Sequence, residues 1–306
     1  MKFEKKHFLL FAISIIVTMA MVGIAEVLNK EAIIFPEIAA LCTGLIIAPK
    51  KVWNSDRYTS WGLMCFSSLL GIIIVRYAQF PIFLQCIVAL CAITLILVIT
   101  QSEFFPAICA CMLPVLTQTG SLYYVASVCV FSALLFIIEA LLLKFNLKDA
   151  YTVDKIKLGK RGILKYILIV ASYSIFLAIV LYFDEVYFIV PPLCVTFFEI
   201  ATDEQSTKRP FDIWLILSIA AGLGFLLSFM INSFAWSHFG CTLIIILIMY
   251  VIMFLTKLTF PPAASICLLP LILPTSNMYR YPLEVMIGSA IVIIIGNLIH
   301  VLVKKD

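Results

Sequence analysis

The chain has 306 residues, 64% of them hydrophobic and only 12% charged, with a formal charge of +4. Soluble domains carry about a quarter charged residues, and no soluble core of this size absorbs so much apolar surface, whereas a bilayer does. The basic residues sit in loops between apolar runs and not on one face, which excludes a nucleic-acid surface.

In chain order the first six apolar segments are Phe8–Val27, Ala32–Pro49, Ser60–Tyr77, Pro81–Thr100, Phe104–Leu116 and Leu122–Leu143. The second six are Ile163–Phe183, Val186–Thr202, Phe211–Met230, Phe239–Thr256, Phe260–Pro274 and Pro282–Val303. Phe8–Val27 follows Lys5, Lys6 and His7 but lacks a small-residue cleavage site, so it is expected to be a retained span. All ten cysteines fall inside these runs, where a thiol behaves as a small hydrophobe. Their spacing matches no metal site, and neither metal nor cofactor is expected.

The second and fifth segments of each set are short and open on proline motifs, so they either cross the membrane or dip in and return. Lys and Arg favour the cytoplasmic side. With twelve crossings and the N-terminus inside, 18 basic residues lie inside and only Lys30, Arg76 and Arg280 outside. Re-entrant short segments weaken that division to 13 against 8. The expectation is an all-α polytopic protein of the cell membrane, crossing twelve times with both termini cytoplasmic. The basic connector Lys144–Lys165 separates a first membrane repeat, 1–145, from a second, 166–306, with 146–165 as the cytoplasmic linker.

The two sets align at a nearly constant offset. Phe104-Phe105-Pro106-Ala107, running on to Pro114, matches Phe260-Pro261-Pro262-Ala263, running on to Pro270, 156 residues later. Phe35-Pro36 falls on Pro191-Pro192 at the same offset, and Phe131-Ser132-Ala133 faces Gly288-Ser289-Ala290. Six crossings per copy predict parallel repeats related by an axis along the membrane normal.

At these motifs the sequence resembles the HPP family of integral membrane proteins, named for a His-Pro-Pro that opens a short helix followed by small residues. Phe260-Pro261-Pro262-Ala263-Ala264-Ser265 carries the likeness and Phe104-Phe105-Pro106-Ala107 is a worn copy; phenylalanine replaces the motif histidine in both. The family's earlier helix, basic loop and glycine-containing helix resemble Phe35–Pro49, Lys50–Arg57 and Trp61–Gly71, and again Pro191–Ala201, Lys208–Pro210 and Trp214–Gly224. Some members are nitrite transporters of plastids and cyanobacteria, so the resemblance implies transport of a small anion.

Proline suits the first turn of a helix, and the dipole and N–H groups beyond it favour an anion. Pro36, Pro106, Pro192 and Pro262, with Glu37, Ala107, Cys109, Thr196, Ala263 and Ser265, are therefore candidate substrate contacts; the other reading is prolines that only shape packed helices. Three intramembrane carboxyls stand out: Glu37, Glu139 and Glu199. Glu139 and Glu199, with Lys257 at the inner mouth, are candidates for coupling or gating. Beside an anion path a carboxyl would carry a coupling proton; the alternatives are a cation path or snorkelling to the interface.

No zinc-protease helix, paired intramembrane aspartates, serine elbow or ATP loop is present, so no enzyme is expected. The leading expectation is a secondary transporter or channel for a small ion such as nitrite, contacting lipid and no nucleic acid, with homo-oligomers an open option. The alternative is a non-transporting membrane scaffold or immunity-type protein acting through a partner.

Overall fold

The computed structural model of the chain describes residues 5–149, 159–203, 207–273 and 277–305. Among them are twelve α-helices and no strand. They are α1 (Lys5–Leu28), α2 (Glu37–Leu41, continuing as a π-helical turn, Cys42–Ile47), α3 (Arg57–Tyr77), α4 (Ile82–Ile99), α5 (Pro106–Leu116) and α6 (Leu122–Lys144). Then follow α7 (Lys160–Tyr182), α8 (Pro191–Thr202), α9 (Pro210–Phe234), α10 (His238–Thr256), α11 (Pro261–Ile266) and α12 (Tyr281–Lys305). Eight of these helices are long and apolar enough to cross a membrane, so this is an all-helical, multi-pass membrane protein. Lys155 and Lys157 of the connector lie outside the described residues.

The other four, α2, α5, α8 and α11, are short: α5 rises only about 16 Å at 1.5 Å per residue, roughly half a bilayer core. They form a closed ring, α2 on α5, α5 on α8, α8 on α11 and α11 on α2, with the long helices outside. Every residue of α2, its π-turn and α11 is buried. Protein and not lipid therefore satisfies their irregular backbone, the condition under which such backbone is tolerated at membrane depth.

Cross-links give the direction of each segment. Ser127 Oγ donates to Ile33 O, joining the start of α2 to the start of α6, while Lys148 Nζ donates to Leu45 O beyond the end of α6. Glu103 N–H donates to Asn54 O, placing the starts of α3 and α5 together, and Arg76 at the end of α3 reaches Gly120 O ahead of α6. Trp53 meets Glu199 near the end of α8, Arg280 pairs with Glu185, and Phe239 N–H donates to Glu26 at the end of α1. Successive segments thus alternate between two faces. One face carries Lys50, Lys51, Arg57, Lys144, Lys148, Lys208, Arg209 and Lys257 and is called the basic face below; Lys30, Arg76 and Arg280 lie opposite.

Contacts recur in pairs. α1 packs on α10 as α4 packs on α7, and α2 on α11 as α5 on α8. Trp61 Nε1 donates to Cys129 O (3.1 Å) as Trp214 Nε1 donates to Met286 O (3.0 Å). Gly71 lies against Pro114 as Gly224 lies against Pro270.

A proline inside a helix leaves the carbonyl four residues earlier without its N–H partner. For Pro114 that carbonyl is Ala110 O, and the Tyr124 hydroxyl donates to it at 2.9 Å; in the second set Pro270 lies in a 3-10 turn beyond α11, and the Tyr281 hydroxyl donates at 2.6 Å to Ile266 O, the last carbonyl of α11. Both tyrosines are buried. Tyr124→Phe and Tyr281→Phe are each expected to destabilise by about 1–3 kcal/mol, the cost of a stranded buried carbonyl. Thermal unfolding in detergent tests this; losses no larger than for exposed Tyr58→Phe would refute it.

Candidate functional site

A cleft of about 550 Å3 opens on the basic face, lined by Lys50, Lys51, Glu103, Glu199, Asp203 and Arg209 among others. The starts of two ring helices enter it, through Phe105 before α5 and Phe260 and Pro261 at α11. At its wall Trp53 Nε1 donates to Glu199 Oε1 at 2.9 Å. The indole is held edge-on against Phe104 and seated over Gly44, where any Cβ would fall 2.5 Å from the ring. Burial raises the Glu103 carboxyl above its ordinary range, with Lys165 opposing.

Behind Glu199 the ring closes. Cys109 of α5 and Cys194 of α8, helices packed on one another, are both buried. Glu37 stands at the start of α2 and is 1% exposed. It does not snorkel: both carboxyl oxygens are buried, and among the described residues the only donors near them are the Cys109 thiol and the Glu37 backbone N–H, neither in good hydrogen-bond geometry. The Cys109 thiol lies beside it, and Tyr124 and Tyr281 spend their hydroxyls on the Ala110 and Ile266 carbonyls. A charged carboxyl at the middle of a membrane helix costs about 2.5–3.5 kcal/mol on insertion scales, so such a group is kept for a function by default.

From the opposite face two smaller cavities approach the ring. One of about 60 Å3 is lined by Glu31, Ile34, Thr117 and Tyr124. The other, about 250 Å3, is lined by Glu185, Tyr187, Pro191, Arg280 and Glu284. There Arg280 pairs with Glu185 and, at 3.2 Å, with Glu284.

The first N–H groups of the ring helices are already engaged. Pro106, Pro191, Pro192, Pro261 and Pro262 have none, Ala107 N–H bonds Phe104 O, Leu193 N–H bonds Val190 O and Ala263 N–H bonds Phe260 O. Thr196 Oγ1 donates to Pro192 O and Ser265 Oγ to Pro262 O, each within its own helix. What the helix starts leave for a solute is their dipole and the basic side chains nearby.

Glu139 belongs elsewhere. It lies 3.5 Å from Arg57 in a cluster with Lys51 and Lys148 around a water-sized cavity of about 10 Å3. Lys148 Nζ caps the end of the π-turn at Gly44 O and Leu45 O; burial pulls this amine down to about 8, with Glu139 opposing. Lys257 is exposed at the left-handed C-cap of α10, beside the cleft-lining Leu258 and Thr259. The structure therefore places Cys109 beside Glu37 and puts Glu199 on the wall of the cleft, and leaves Glu139 and Lys257 apart. Trp53, Lys148, Tyr124, Tyr281 and Glu284 went unrecognised in the sequence. Only Glu284, a carboxyl in the first turn of an apolar segment, carried a usable signal there. No protein-family model matches this chain, no curated protein matches it and no solved structure matches it, so the assignment of this site rests on its geometry.

Proposed function

We propose that this protein is a secondary transporter of a small inorganic anion, taken up with protons, and that it is built from two copies of one six-segment unit akin to HPP proteins. The observation that carries the reading is the ring itself. A polar cleft enters from the basic face as far as Glu199, smaller cavities enter from the other face, and the buried Cys109–Cys194 layer separates them. Access from both faces to a closed centre is what alternating exposure requires, and short, broken helices are a usual way to build such a centre.

The paired contacts support duplication: α1 on α10 with α4 on α7, the two tryptophan bonds and the two tyrosine–proline pairs all relate positions 153–157 residues apart. By the positive-inside rule the basic face is cytoplasmic. Lys50, Lys51 and the α5 dipole supply the positive field for an anion, while Glu103 and Glu199 supply groups that exchange protons. A lining of both signs suits an anion and a proton moving together.

Purified protein in liposomes is expected to take up labelled nitrite or nitrate with saturation, faster when the outer solution is acid. Flux no greater than in empty vesicles for either ion would overturn the anion assignment.

A further inference from the structure

We propose that Glu37 is the proton-binding site of the transport cycle, reached from the basic-face cleft through Glu199; this rests on the transporter reading above. Glu37 and Glu199 sit on α2 and α8, helices related by the repeat, yet their surroundings differ in kind. Glu199 lines the cleft and accepts the Trp53 N–H, so it can exchange protons with cleft water. Glu37 is sealed inside the ring with both oxygens unpartnered.

The ionisable groups facing Glu37 are Cys109 from α5, Tyr124 from α6 and Tyr281 from α12. α1 contributes Met21, whose sulfur receives the N–H of Phe35, two residues before Glu37. No basic side chain acts on Glu37 among the described residues. An ionised carboxylate with no counter-charge, and with only a thiol and its own backbone N–H nearby as donors, is not tolerated in such a place, so in this conformation Glu37 holds its proton as a neutral acid. Transfer balances as one proton leaving the Glu199 carboxylic acid and joining the Glu37 carboxylate. α5, which carries Cys109, packs against both α2 and α8, so movement of α5 sets whether the two carboxyls communicate. Releasing that proton demands that water or a counter-charge reach Glu37, which means opening the ring towards the other face. Proton loading is thereby tied to which face is open.

Two readouts on the full chain in lipid test this. In infrared spectra at neutral pH, the wild type is expected to show the high-frequency carbonyl band of a buried, weakly hydrogen-bonded carboxylic acid. The band should vanish in E37Q and persist in E199Q and E139Q. A band unchanged in E37Q overturns the proposal. In proteoliposomes, E37Q is expected to lose pH-gradient-driven nitrite accumulation while keeping nitrite–nitrite exchange; accumulation equal to wild type also overturns it. Should wild type move no nitrite, the anion reading fails, and the infrared result alone decides the proton site. Glu37→Leu, read in the same assays, serves as the second variant if E37Q is not recovered folded.

Discussion

Gly71→Ala is expected to destabilise the protein by about 3 kcal/mol, near the upper end of what an extra core methyl ordinarily costs. A Cβ at Gly71 would fall 2.6 Å from Pro114 Cγ and nearer still to the Cys111 carbonyl oxygen. Neither can yield: one belongs to a ring fused to the backbone, the other to the backbone itself. α3 and α5 would have to part, and α5 is the ring helix that carries Cys109. At the related position the contacts are looser, 3.0 Å to the Tyr281 ring and 3.1 Å to Pro270, so Gly224→Ala is expected to cost about 1 kcal/mol. Gly62 meets nothing within 4 Å, and alanine there should be neutral or slightly stabilising through helix propensity. Unfolding in detergent ranks the three variants. Equal stability of the Gly71 and Gly62 variants would disprove the close approach of α3 and α5.

Glu139→Gln is the second large effect expected, about 3 kcal/mol, the low end for removing one partner of a buried ion pair because Arg57 is itself a third exposed. The carboxyl balances three basic side chains, Lys51, Arg57 and Lys148, packed around one small cavity. Without it their mutual repulsion loosens the cap on the π-turn and with it the end of α2.

A pH signature accompanies this loss. Lys148 is held at about 8 by burial, below the ordinary 10.5 of a lysine. Between those values the unfolded chain binds the extra proton, so stability rises with pH across that window. In Glu139→Gln the opposing attraction is gone, the folded value falls further, and the rise should begin below pH 8. A stability profile that coincides with wild type in shape as well as onset would refute the role given to Glu139. Reading Glu139 as a structural counter-charge also predicts that its substitution weakens folding without abolishing proton coupling, the reverse of E37Q.

Much of the fold was legible in the residues. Each of the twelve apolar segments contains one α-helix among the described residues, and the charge asymmetry matches the two faces that the cross-links define. The offset that aligned Pro114 with Pro270 also relates their tyrosine partners, Tyr124 and Tyr281, within one residue. The candidate site was only partly legible. Glu37 and Glu199 could be named as costly carboxyls, and so could Glu139, but nothing local separated the three.

Apolar length, proline position and loop charge are properties of short stretches of chain, so the sequence by itself determined that this is a multi-pass helical membrane protein with four short, proline-opened helices. Whether a carboxyl is paired, sealed or open to a cleft depends on groups tens to more than a hundred residues away. Trp53 lies 146 positions from Glu199, and Arg57 lies on a different helix from Glu139. Only the tertiary structure decided that Glu139 faces Arg57, that Glu199 lines the cleft and that Glu37 is sealed in the ring beside Cys109. Burial and pairing are set by packing between helices, and no spacing along the chain encodes them.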